Sequence, residues 1–296
     1  MKQVAICIGP EERMQETADL VSIYIPTCNR FDLLQRAVAS CLAQTYTNIE
    51  VIISDDGSEP SVQEKIKQLA LSDNRIKLVL SAESRGACAA RNNAIAIAQG
   101  KFVTGLDDDD EFKPHRIESF IKAWSARADM SFISANSCIY IDDSLKLTSR
   151  KKNAVITLQE LLHTNVIGNQ LFTLLSSMKA IGGFDEELQA RQDYDAWIRL
   201  VAKFGPGYRI SDVSYVIHQD HSYERISNSS RRVQGYDYVY KKHEHKMNSA
   251  QKASHKFYRC LYTENPTLFA LLAKTPLRLW PVAIKVISLR MLGYKV

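Results

Sequence analysis

Over the first third of the chain, short β-rich apolar runs alternate with segments whose apolar positions fall three and four apart. The runs cover residues 21–25, 49–54, 76–80 and 102–106. Between them the spacing predicts a helix with Leu34, Val38, Cys41 and Leu42 on one face, another with Val62, Ile66 and Leu69, and a small-residue helix over about 87–98. Strand and helix in strict alternation imply right-handed crossovers and a mostly parallel sheet. Such sheets bind ligands beyond the carboxyl ends of their strands. Polar clusters at residues 26–29, 55–58, 84–86 and 107–110 all fall there. Four such clusters on one edge are hard to explain as four separate turns.

The second half is less regular. Residues 130–133, 138–141, 208–210 and 213–217 read as strands. Thr157-Leu158-Gln159-Glu160 is a capping box and opens a short helix. After a turn at Gly182-Gly183 comes a helix whose stripe is Trp197, Leu200, Val201 and Phe204, ended by Gly205-Pro206. Asp193 lies four residues before Trp197, so it is expected to point inward, and Asp195 away from the core. An inward carboxylate at a helix start is either a cap or a working group. Asn29, three residues before Asp32, pairs with it as a helix cap or touches a ligand.

The polar pattern contains one anomaly, five consecutive acids from Asp107 to Glu111. Such a run needs a cation, a basic partner or open water. Pro114 and a helical stripe of Ile117, Phe120, Ile121 and Trp124 follow it, so the acids sit between a buried strand and a helix. Their hard oxygens suit Mg²⁺ or Mn²⁺. His218 and His221 could add imidazole ligands.

Composition changes the picture only in places. With 45% hydrophobic and 24% charged residues the chain is ordinary for a globular protein. Six scattered cysteines form no CxxC pair, which argues against a zinc or thioredoxin-like site and for a reducing, cytoplasmic setting. No signal peptide or membrane-spanning run is visible. Residues 251–296 carry eight Lys/Arg against Glu264, a charge of +7, while residues 1–250 hold 30 basic and 32 acidic residues. A basic tail with many apolar residues fits an anionic membrane surface. Without a nucleic-acid-binding signature in the body, no nucleic-acid partner is expected.

Residues 21–30, Asp55-Asp56-Gly57-Ser58, Gly86 with Arg91-Asn92, 106–110, 182–186 and Gln192-Asp193, in this order, resemble the inverting glycosyltransferases of family 2, over about residues 21–225. The resemblance implies a GT-A fold, a nucleoside-diphosphate-sugar donor (most often a UDP-sugar), Mn²⁺ or Mg²⁺, and a glycan or lipid-linked acceptor, as in bacterial O-antigen or capsule synthesis. On it, Pro26, Thr27, Asn29, Asp56 and Arg91 fall at the nucleotide, and Asp108 at the ribose. Asp107 and Asp109 fall on the DxD metal pair, Asp109 being the more direct ligand, with His218 or His221 near the diphosphate. Gly183, Phe184 and Asp185 fall on the acceptor side, and Asp193 on the catalytic base. Cys28 stands where Tyr is usual. Gln192 replaces a Glu, which should lower the pKa of Asp193 relative to a Glu-Asp pair.

The expected organisation is an extension (1–20), a catalytic domain (21–230, nucleotide half 21–110 and acceptor half 111–230) and a basic helical appendage (231–296). The enzyme would be cytoplasmic and could be peripheral at the membrane. Two other classes compete. A sugar-phosphate nucleotidyltransferase should carry a Gly-rich loop after the first strand, where this chain has Pro-Thr-Cys-Asn. A non-catalytic nucleotide-sugar-binding module need not keep both the paired acids and Asp193.

Overall fold

The computed structural model describes residues 18–141, 144–147, 151–219, 231–263 and 279–291. The first half follows the alternation: β1 (Val21–Thr27), α1 (Phe31–Leu42), β2 (Ile49–Asp55), α2 (Pro60–Leu71), β3 (Ile76–Leu80), α3 (Ala87–Ile97) and β4 (Phe102–Gly105). These strands form a parallel sheet in the order β3-β2-β1-β4. Residues of β1, β2 and β4 are buried throughout, as continuous apolar strands require when both sheet faces are covered. A short antiparallel β9 (Thr173–Leu174) closes the β4 edge. β1 lies between β2 and β4, so the strand order reverses there, the place at which open α/β sheets bind their ligands.

Beyond β4 come β5 (Glu111–Phe112), α4 (Arg116–Ala126), β6 (Ile133–Ile141), β7 (Ser144–Leu147), β8 (Ala154–Ile156), α5 (Leu158–Leu161), α6 (Leu175–Ala180), α7 (Gln192–Phe204) and β10 (Gly207–His218). A second, mixed sheet has the order β5-β10-β6-β7, with β8 also on β10. Two pairs of expected strands merge here. Residues 133–141 are one strand, because Asn136 is buried and its amide donates to the Ser211 and Lys151 carbonyls, which hides the polar break. Residues 207–218 are likewise one strand, irregular in register between Arg209 and Tyr215. The capping box at Thr157 and Glu160 forms as expected.

Asn29 does not cap the helix that follows it. Arg30 is the N-cap of α1 and makes no side-chain cap bond. Asn29 is left-handed (φ 54°) and stitches two loops together: its N–H donates to Ser58 Oγ (2.7 Å), and its Oδ1 accepts from Glu59 N (2.8 Å), at the start of α2.

The appendage is helical, with α8 (Arg231–His243), α9 (Ser249–Thr263) and α10 (Trp280–Met291). α8 packs on α7, and α10 packs on α9 through Ala283 and Ile287 against Phe257 and Leu261. Part of the tail's apolar surface is thus spent inside the protein, while Trp280 and Ile284 stay 36% and 46% exposed. No described helix is long and apolar enough to cross a membrane. Leu268, Leu271, Leu272 and Leu277 lie outside the described residues.

Candidate active site

The acidic segment leaves β4 at Gly105, where a side chain would collide with Tyr24 and Gln170 at 2.2–2.3 Å. That close approach lets Tyr24 OH donate to Gln170 Oε1 (3.0 Å) and Gln170 Nε2 reach Asp107 Oδ1 (3.2 Å). Arg91 Nη2 donates to the same oxygen (3.0 Å) and Asn169 Nδ2 to Asp107 Oδ2 (2.9 Å). Arg91 comes from α3, whose run of small residues brings the helix against β1 and β2. Burial works against its charge, yet Asp107 holds the guanidinium pKa above its usual value.

The chain's own arginines answer much of the acidic run. Arg30 binds Asp108 through Nε (3.1 Å) and Nη2, and reaches Asp109 Oδ2 with Nη1 at 3.4 Å. Thr27 Oγ1 donates to Asp108 Oδ2 (2.7 Å). Asp108, expected at a ribose, is 1% exposed and ties β1 to the acidic segment. Burial pushes its carboxyl up to about 7, Arg30 opposing and Asp109 adding. Burial and the charges of Asp109 and Asp107 also raise Asp110, which accepts from His218 N (3.0 Å).

His218 ends β10 beside this segment, its Nε2 2.7 Å from Glu111 Oε2. His221 lies outside the described residues. Among the described residues, no three His, Cys, Asp or Glu side chains converge into a ready cation cage. A hard cation such as Mg²⁺ would bind here through one or two carboxylates together with substrate phosphates. Asp109 has its carbonyl held by Arg36 Nη2 (2.8 Å) and its carboxylate reached by Arg30 at 3.4 Å, while the Asp107 carboxylate is bound by Arg91, Asn169 and Gln170.

Asp56 ends the neighbouring strand and accepts from Ser84 Oγ (2.6 Å), Arg85 N (2.9 Å) and Gly86 N (2.8 Å), which sets the loop before α3. Pro26 lies in β1 and Cys28 is a half-buried free thiol beside Asp56.

Asp193 stands in the first turn of α7, behind an N-cap taken by the left-handed Arg191 (φ 62°). Asn165 Nδ2 donates to its Oδ2 (2.8 Å). Burial raises its pKa; Arg191 and Arg91 oppose this, and Asp107 adds to it, so the base candidate feels the charges of the acidic cluster. The reading of Asp195 is overturned. It is fully buried on the other face of α7, held by Arg199 Nε (2.8 Å), Lys242 Nζ (3.0 Å) and His243 Nε2 (2.8 Å). α8 covers that face, so α7 is buried on two sides.

Gly183, Phe184 and Asp185 form the turn before α7. Asn92 clamps Phe184 through its N–H and carbonyl (2.8 Å each), and a side chain at Gly183 would meet Asn92 Oδ1 at 2.3 Å. The Phe184 ring lies under the Arg91 guanidinium at 5.4 Å. Asp185 turns to α8 instead, onto Lys242 Nζ (2.6 Å) and Tyr238 OH (3.1 Å).

Asn165, Asn169, Gln170, Arg30 and Tyr215 complete the centre and were not singled out from the sequence. The polar trio Gly168-Asn169-Gln170 before an apolar run was the one available signal.

The family model for glycosyl transferase family 2 matches residues 22–181, more than half of the chain. The chain belongs to glycosyltransferase family 2. WcaA of Escherichia coli strain K12, assigned to colanic acid biosynthesis, is 37% identical over 240 residues, 79% of this chain and 84% of WcaA. The Escherichia coli UDP-Glc:α-D-GlcNAc-diphosphoundecaprenol β-1,3-glucosyltransferase WfgD is 31% identical over 184 residues, 62% of this chain and 70% of WfgD. Staphylococcus aureus TarS residues 1–349, solved with UDP-GlcNAc, superposes with a TM-score of 0.67 at 18% identity, over 90% of this chain and 79% of that one. The family 2 chain thus shares the GT-A fold of TarS.

Proposed function

We propose that this family 2 enzyme transfers a sugar from a UDP-sugar to an acceptor hydroxyl with inversion, giving a β-linkage from an α-linked donor, in the assembly of a bacterial surface polysaccharide. The observation that carries it is the meeting of Arg91, the acidic segment and a half-buried Asp193 at the carboxyl ends of β1 and β4. WcaA and WfgD, by their descriptions, support the polysaccharide pathway and a lipid-linked glycan acceptor.

In this reading Arg91 faces the diphosphate, which gains negative charge as it leaves. Asp193, its rotation fixed by Asn165, takes the proton of the acceptor hydroxyl as that oxygen attacks the anomeric carbon. One displacement inverts configuration and needs no covalent intermediate. Asp109 and Asp107 would hold Mn²⁺ or Mg²⁺, which supplies further counter-charge to the leaving group. A thermal-shift panel of nucleotide-sugars with Mn²⁺ tests the donor, because a true donor stabilises the fold by mass action. No shift with any UDP-sugar would rule that donor class out.

For the metal, Asp109→Ala should abolish transfer with the fold intact. Full activity of that variant, or of the unaltered enzyme in EDTA, would remove the metal from the mechanism.

We further place the enzyme at the cytoplasmic face of the membrane, held by its basic C-terminal region. The outward-facing Trp280 and Ile284 support this, since apolar side chains beside basic residues suit an anionic bilayer surface. Trp280→Ser with Ile284→Ser should weaken co-sedimentation with phosphatidylglycerol vesicles at least about tenfold, the worth of two apolar groups withdrawn from lipid. Equal binding by both proteins would mean that α10 serves only to cover α9.

A further inference from the structure

Tyr215 lies in the second sheet, and nothing in its sequence neighbourhood marks it. Its ring is 2% exposed. Its phenol oxygen nevertheless reaches three parts of the centre. It accepts from the Asp107 backbone N–H (3.3 Å) and from Asn169 Nδ2 (3.2 Å), and its O–H is bonded to the Asp110 carboxylate. Asp107 and Asp110 are the two ends of a tight turn, closed by Asp110 N onto Asp107 O (3.0 Å). One oxygen therefore pins both ends of the turn that carries Asp108 and Asp109, and ties it to Asn169 on the opposite loop.

Beneath the ring lies a second unusual group. Arg116 is 1% exposed, and among the described residues no carboxylate lies within ion-pair distance of it. Its guanidinium stacks on Phe112 (4.7 Å), Phe120 (4.5 Å) and Tyr215 (5.2 Å), and Nη1 donates to Ser214 Oγ (3.2 Å). A buried cation without an acid is costly to keep. Asp212 is the carboxylate whose charge favours the guanidinium, and the Tyr215 ring stands against it, with the phenol oxygen of that ring on the acidic turn. A cation against the ring face draws electron density from the phenol and strengthens its O–H as a donor toward that turn.

We propose that Tyr215 is a positioning residue for the acidic turn: its phenol oxygen, backed by the buried Arg116, sets the turn from Asp107 to Asp110 for the donor's diphosphate. The diphosphate part rests on the nucleotide-sugar reading above, whereas the positioning of the turn does not. Tyr215 touches no reacting atom. It fixes four carboxylates that would otherwise repel one another into a looser loop, and pre-organisation of this kind is spent once, at folding, rather than at each turnover.

The test separates the two parts. Tyr215→Phe removes one oxygen and keeps the ring. Val38→Ala, in the core between α1 and the sheet, serves as a destabilised control. Hydrogen exchange of the ligand-free full chain should show the Asp107 amide protected in the unaltered protein. In Tyr215→Phe it should exchange about tenfold faster than in the control, the worth of one net hydrogen bond. Calorimetry with UDP and Mn²⁺ should then show about tenfold weaker binding. An unprotected Asp107 amide in the unaltered protein, or equal exchange in variant and control, overturns the proposal. Faster exchange with undiminished UDP affinity overturns the diphosphate part. Faster exchange in a protein that never bound UDP upholds Tyr215 and removes the donor reading instead.

Discussion

Asp193→Asn should leave UDP binding intact and lower turnover by about 10²–10⁴-fold, the usual contribution of a general base. Asparagine keeps the shape and can still meet Asn165, but it cannot take a proton. A role in capping alone would give a different result, since asparagine is itself a good cap. The N-cap position of α7 belongs to Arg191, which already argues against that role. The pH profile offers a second check. Burial holds the Asp193 pKa above the ordinary carboxylate value. Transfer should therefore fail on the acid side at a higher pH than an exposed aspartate would give, as the base takes up a proton and can no longer accept one. Transfer rates, calorimetric UDP affinity and the acid limb of kcat together decide it. An active Asp193→Asn enzyme would place the base elsewhere.

The largest effect on stability is expected two residues away. Asp195→Ala strands Arg199, Lys242 and His243 around an emptied, fully buried position. Breaking a buried ion pair by removing one partner costs about 3–5 kcal/mol. The cost has a sign in pH. These partners depress the Asp195 pKa to about 2 in the folded chain, against the burial that would raise it. A depressed carboxylate pKa stabilises the fold fully above its unfolded value of about 3.9. That stability is lost as pH falls from about 4 to 2. Urea unfolding at pH 7 and pH 3 should show the gap between wild type and variant narrowing at the lower pH. An equal gap at both would mean that the carboxylate's charge contributes nothing.

The contrast between these two aspartates shows what the sequence could convey. The strands and helices of the nucleotide half are legible because each buries one continuous apolar set, and period alone specifies that. Spacing puts Asp193 on the Trp197 stripe, yet in the fold it is only half-buried, in the first turn of α7. Asp195 is misjudged because the face it occupies is covered by α8, which begins at Arg231 and leaves no trace in the local pattern. The same reason hides Arg116, a charged residue at the start of an apolar stripe whose neighbours Phe112 and Tyr215 arrive from other strands. β6 and β10 each look like two strands because Asn136 and Ser211-Asp212 interrupt the alternation, and only the fold shows that the Asn136 amide is paired, with the Ser211 and Lys151 carbonyls. Asn169 and Tyr215 carry no spacing signal at all. Of the acidic run, its place at a strand end is legible, whereas its capture by Arg30 and Arg91 depends on folding. Asp108 is held by Arg30 and Thr27, and Asp185 by Lys242 and Tyr238 of α8, partners that only the fold brings to them.

The two-sided burial of α7 makes the helix a lever. Its first turn presents Asp193 to the acidic centre on one side and Asp195 to α8 on the other. A carboxylate oxygen about 6 Å from a helix axis moves about 1 Å when the helix turns about 10°, and a 1 Å misplacement can cost about 10²-fold in rate. If Asp193 is the base, as proposed, Lys242 and His243 set its angle through Asp195. On that reading, a sequence change that repacks α8 would reach the chemistry through this angle, so the C-terminal helices are coupled to the catalytic domain through α7.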